Sequence, residues 1–196
     1  MRSQIHRAMR LVARPEHEWR AIALAKESAM RVLVCYLVPM ALIAPIAHAV
    51  AMFMGTEGML IKPATSQAAL LWAISAFVSQ MLGVLTMAAV VCLMAPLYRT
   101  PLDLGAAVRL VLYAGTPVWL AGLLLAAPLQ RFPLLVIIIL IALFHAAYLF
   151  YLGLHYMLKV RQSDAAEYAG IVAFLGLCLS TVVGYVGAAA GCFPHL

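Results

Sequence analysis

The chain predicts an all-α fold: a polytopic integral membrane bundle of five transmembrane helices. Three observations predict it. Five stretches carry no charged residue, at 32–56, 63–98, 110–130, 132–158 and 168–196. Each is at least as long as the roughly 20 apolar residues of helix that cross a bilayer core. The whole chain is 66% hydrophobic and 10% charged, where a soluble domain carries about 25% charge. Finally, with the N-terminus in the cytoplasm, the cytoplasmic segments hold eleven Lys and Arg and the outer segments two, the asymmetry that orients membrane proteins. Five crossings then put the C-terminus outside. Backbone N–H and C=O groups in hydrocarbon must bond within their own segment, so each crossing is a helix.

Residues 1–31 form a basic arm ahead of a membrane domain at 32–196. Ile5, Ala8, Met9 and Val12 recur at helical spacing, with Arg7, Arg10 and Arg14 on the other side. That pattern predicts an amphipathic helix in the membrane plane, its arginines towards anionic lipid. Pro15 interrupts it. A second short helix follows, with Trp19, Ile22 and Lys26 on one face and Trp19 at the headgroup level. Arg7, Arg10, Arg14 and Trp19 are thus the expected membrane-surface contacts.

The first span runs over about 32–54 and contains Pro39 and Pro45, which predict a kinked helix. Gly55 to Pro63 closes it with a short outer loop. The second span covers about 68–95, with Trp72 near its outer end and Pro96 as its stop. Thr100-Pro101-Leu102-Asp103 reads as a capped start for the third span, about 106–127, which contains Pro117. Pro128, Arg131 and Pro133 make a tight turn into the fourth, about 134–158, an antiparallel neighbour of the third. Asp164 to Glu167 reads as a capping box for the fifth, about 166–191. Gly187 and Gly191 give that helix a G-x-x-x-G packing face.

Little chemistry is legible. Cys35, Cys92, Cys178 and Cys192 show no ligand spacing, and no phosphate loop, zinc-protease or hydrolase motif is present. No cofactor, no metal and no enzymatic activity are expected. The net charge of +6 is an orientation signal, not a nucleic-acid footprint, because its basic residues lack interleaved aromatics. The ionisable groups in or beside the spans are His48, His145 and His155. His145, Tyr148 and Tyr151 recur along the fourth span and predict a polar seam facing the third. Arg109 and Tyr113 lie near the same inner end and are expected to approach His155 or Tyr151.

Several of these residues carry a family resemblance. Pro15, Trp19 and Ile22 resemble the P-x-x-x-W-x-x-I segment of bacterial members of the Ypt-interacting-protein (YIP) family. Tyr113 and Pro117 resemble its central Tyr-x-x-x-Pro helix, and Tyr148, Tyr151 and Gly153 its aromatic–glycine segment. Ala165 and Ala166 sit where that family places small residues. The resemblance implies a five-helix protein of the bacterial inner membrane. The Asp-Leu-Tyr-Gly-Pro signature of the eukaryotic trafficking relatives has no counterpart. The expected role is a non-catalytic adaptor, organiser or scaffold, with anionic lipids, other membrane proteins or a second copy of the chain as partners. A small transporter or channel, with a polar path along spans three and four, is the alternative.

Overall fold

The computed structural model describes residues 2–25, 27–53, 66–126 and 132–189. The expected loops at Gly55–Pro63 and Pro128–Arg131, the Gly187–Gly191 packing face and the side chains of His48 and Trp72 lie outside that description. The arm consists of α1 (Arg2–Ala13) and α2 (Pro15–Ala25). Pro15 opens α2, where its missing N–H costs nothing, and Glu16 and Glu18 in the first turn suit the positive end of the helix dipole.

The first crossing starts earlier than expected. Ser28 caps α3 (Ala29–Val32), its hydroxyl accepting the Arg31 N–H at 3.3 Å. A wide π turn follows over Leu33–Leu37, then α4 (Val38–Ala41) and α5 (Ile43–Phe53). The two prolines account for these breaks. Pro39 has no N–H for the Cys35 carbonyl, and the chain widens so that Val38 N–H reaches back to Leu33 O. Pro45 likewise leaves the carbonyl of Ala41 without its helical donor. The Gln80 side-chain amide donates to that carbonyl at 3.3 Å from the neighbouring helix.

That neighbour is α6 (Ser66–Met94), which tightens into a 3₁₀ turn at Ala95–Tyr98. The third crossing comprises α7 (Leu104–Ala114), α8 (Thr116–Ala121) and a 3₁₀ segment, Gly122–Ala126. Its cap corrects the sequence reading. Asp103, not Thr100, is the N-cap, accepting Ala106 N–H at 2.9 Å. Thr100 instead closes the preceding turn, its hydroxyl donating to Ala95 O. Then come α9 (Phe132–Leu158) and α10 (Gln162–Ala189). Because α10 already begins at Gln162, Asp164 lies in its first turn and does not cap it.

Four helical stretches among the described residues are long and apolar enough to cross a membrane: Ala29–Ala47, Ala73–Tyr98, Leu104–Leu124 and Leu134–Leu158. The chain is therefore a multi-span helical bundle. The kinked α7–α8 unit is central, packed by α6, α9 and the first crossing, while α10 lies against α6 and α9. Leu70, Leu93, Ile141, Phe144 and Phe174 are all more than half exposed. That apolar exterior suits lipid, whereas soluble monomers rarely expose such continuous patches.

α9 decides where the arm sits. With 27 residues it is about 40 Å long, beyond a hydrocarbon core of about 30 Å. α2 packs along its C-terminal half, where Trp19 lies against Gly153 and Arg20 lies over the Tyr156 ring at 5.6 Å. The charged arm is thus held at one end of the bundle, where a helix of this length emerges from hydrocarbon.

Candidate functional site

The arm's burial begins with one side chain. Trp19 is fully buried, its indole edge-on to Tyr113 at 6.3 Å between ring centroids. A Cβ at Gly153 would lie 2.8 Å from Trp19 Cζ2 and 2.3 Å from Leu110 Cδ1. Only a glycine admits the indole at that point on α9. Ile22, Ala8 and Leu11 are also buried in the same core cluster. The arm is docked on protein. Trp19, expected at the headgroup level, is enclosed by α7 and α9.

Charges complete the dock. Glu18 is 2% exposed, yet it faces two cations. Arg7 Nε lies 3.4 Å from one of its oxygens and Arg10 Nε 3.0 Å from the other. Arg7 Nη1 reaches further, donating to Glu27 Oε2 at 2.9 Å and to the Tyr113 hydroxyl at 3.1 Å. Tyr113 O–H in turn donates to Glu27 at 3.4 Å. Arg109 Nη1 donates to the Glu27 carbonyl at 2.8 Å. Burial opposes the Arg7 charge, but the Tyr113 hydroxyl and the Glu27 carboxylate outweigh it and raise its pKa above the ordinary guanidinium value. A buried charge is tolerable when paired and hydrogen-bonded on each side.

The cluster rests on a second proline repair. Pro117 has no N–H for the Tyr113 carbonyl, and Thr116 fills the gap, its hydroxyl donating to Tyr113 O at 2.6 Å. Tyr36 O–H then donates to Thr116 Oγ1 at 2.6 Å, and its ring lies 4.7 Å from that of Tyr113. Tyr113 is therefore held from the membrane side by the first crossing and gripped from the other side by the arm.

This geometry redistributes the residues expected to act together. Arg7 and Arg10, expected on anionic lipid, face carboxylates of the folded arm: Glu18 in the first turn of α2 meets both, and Glu27 in the link to α3 meets Arg7. Arg14 is exposed. Arg109 and Tyr113 engage the arm, not His155 or Tyr151. On α9, the His145 and Tyr148 rings lie 6.1 Å apart, Tyr151 is partly buried, and Tyr148 is 46% exposed. His155 is exposed, with Nδ1 3.1 Å from Val160 O. Glu18 and Glu27 escaped sequence reading, since they stand outside every apolar stretch. One signal pointed to them: Glu18 lies beside Trp19 in an arm of paired helices and opposite charges.

Among the described residues, no group of three His, Cys, Asp or Glu side chains comes together as a metal site. A family model described as the Yip1 domain matches residues 9–183. No curated protein and no solved structure matches the chain.

Proposed function

The chain belongs to the Yip1 domain family, and from that membership we propose a non-catalytic membrane organiser that works through lipid and protein contacts at its inner face. In this reading α10 is a fifth crossing, the arm is cytoplasmic, and the membrane is the bacterial inner one. The observation that carries it is the division of the arm's charges. Arg7 is committed inward to Glu18 and Glu27 and Arg10 pairs with Glu18 from an exposed position, while Arg14, Arg20 and Arg31 are exposed. The loops at the same end add exposed Arg99, Lys159 and Arg161. Such a cationic rim attracts anionic headgroups at about 1 kcal/mol per basic residue near the surface. The dock keeps the rim in one fixed shape, which a free basic arm would not.

The test is reconstitution of the full chain in liposomes containing labelled phosphatidylglycerol. The organiser should slow lateral diffusion of the labelled lipid and leave ion permeability at the level of empty vesicles. A selective ion leak would replace this reading with the channel alternative. Unchanged diffusion would remove the lipid contact from it.

A further inference from the structure

Between α2 and α9 the arm leaves a cleft of about 380 Å³, lined by Arg14, Pro15, Glu16, His17, Arg20 and Tyr148. That volume lies within the range of small-ligand pockets, about 300–1,000 Å³. We propose that the cleft holds the headgroup of one anionic phosphodiester lipid, with an acyl chain laid along α9.

Two features of the cleft select the headgroup. Arg14, at the bend before α2, and Arg20, within α2, both line it, and guanidinium groups match phosphate oxygens by paired hydrogen bonds. Glu16 lies on the same wall. Two arginines against one carboxylate leave a single positive charge, which suits a monoanionic phosphodiester better than a dianionic monoester. His17 and the Tyr148 hydroxyl add further hydrogen-bonding groups.

The chain comes next. Ile137, Ile141, Phe144 and Tyr148 share one face of α9, at spacings of four, three and four, and are 52%, 62%, 75% and 46% exposed. The stripe is about 16 Å long from end to end, close to one leaflet of a core about 30 Å thick. It starts at the cleft, three residues to the C-terminal side of the helix midpoint, and runs past the midpoint to Ile137. A molecule with an anionic head at Tyr148 and an alkyl chain over Phe144 and Ile141 has the polarity and length of a lipid. A free phosphate would use the cleft and leave the stripe bare.

The site presupposes the lipid-contacting role proposed above, yet the two fail separately. A leak in vesicles removes the organiser and leaves the site, whereas loss of stoichiometric lipid leaves slowed diffusion untouched. The experiment is native mass spectrometry of the full chain in detergent, titrated with phosphatidylglycerol, phosphatidylcholine, phosphatidylethanolamine or soluble glycerophosphate. One phosphatidylglycerol per chain should bind at least tenfold tighter than either zwitterionic lipid and than glycerophosphate. R14Q/R20Q should abolish that preference, R14K/R20K should keep part of it, and E16Q should strengthen it. Arg20 also lies over Tyr156, so R14Q alone, at an exposed side chain, is the control: it should weaken the preference without moving the melting temperature. Equal binding of the lipids overturns the proposal, as does an unchanged R14Q/R20Q. Glycerophosphate binding as tightly as the lipid would make the cleft an anion site without a chain. Weaker phosphatidylglycerol binding by E16Q would mean that Glu16 holds an ammonium headgroup, and that too overturns the assignment. Should R14Q/R20Q not fold, the lipid series on the natural chain decides alone.

Discussion

Trp19 of the arm sits on Gly153 of α9 so closely that a single added methyl would lie 2.8 Å from the indole. The two residues are the keystone of the dock. They bring a charged, non-spanning segment onto the membrane bundle and set the distance at which Arg7 meets Tyr113.

Gly153→Ala should therefore loosen the arm. The new Cβ would also come 2.3 Å from Leu110, and both neighbours are fully buried. Overpacking of this kind costs about 1–3 kcal/mol. Hydrogen exchange should rise over residues 2–25 and stay low in the core of α9. Protection unchanged in the arm would mean that α2 is held by its charges alone.

Glu18→Gln tests those charges. The substitution keeps shape and removes the anion shared by Arg7 and Arg10. Breaking a buried pair from one side costs about 3–5 kcal/mol. Arg10 is 59% exposed and Arg7 retains Glu27, so the loss should fall at the lower end. Arg10→Gln should cost only about 0–1 kcal/mol, the scale of an exposed pair. Chemical denaturation of the two variants separates the cases. Equal losses would place Glu18 in solvent-like surroundings.

How far the sequence reached is visible in these residues. Pro15, Trp19 and Ile22, then Tyr113 and Pro117, then Gly153, stood out as three separated segments, and the fold brings Trp19, Tyr113 and Gly153 to one point. Four of the five apolar stretches appear as helices long and apolar enough to cross, because the bilayer imposes length and polarity on each helix independently. The buried face of the arm was harder to read for the opposite reason. Its buried face holds Ala8 and Leu11, whereas Met9 is 60% exposed. In a twelve-residue helix the two faces differ by a fraction of a turn, and only a tertiary partner decides between them. Glu18 was unreadable as a buried group, and Glu27 as a half-buried one, since a carboxylate enters a core only when folding supplies its cations.

Topology is open to a direct check. Reporter tags at the N-terminus and the C-terminus should lie on opposite faces of the membrane, with the arm on the cytoplasmic one. The basic residues motivate this, eleven against two across the five-span arrangement. Tags on the same face would return α10 to a non-crossing role.

Gln80 should be necessary only while residue 45 is proline. Its amide donates to the Ala41 carbonyl, which Pro45 cannot serve. Gln80→Leu leaves that buried acceptor unpaired, at a cost of about 1–3 kcal/mol. In a Pro45→Ala background the new N–H completes the helix ladder, and the same change should cost close to nothing. A double-mutant cycle measures the difference. Equal penalties in both backgrounds would show that Gln80 acts through packing.

Two tyrosines carry opposite expectations. Tyr36 is fully buried, and its hydroxyl donates to Thr116, which already donates to the carbonyl freed by Pro117. Tyr36→Phe removes the outer bond of that chain and leaves the inner one intact. The loss should be about 1 kcal/mol, within the measured range for interhelical bonds in membranes. Tyr148 belongs to the series on α9 that sequence periodicity marks as a seam, yet it is 46% exposed and lines the cleft of Arg14 and Arg20. Tyr148→Phe should therefore stay within about 0.5 kcal/mol, as surface changes do. Unfolding of both variants in the same detergent ranks them. A larger loss at Tyr148 than at Tyr36 would restore the seam on α9 as the polar core of the bundle. The expected order instead locates that core where the first crossing, the proline kink of the third and the arm converge on Tyr113.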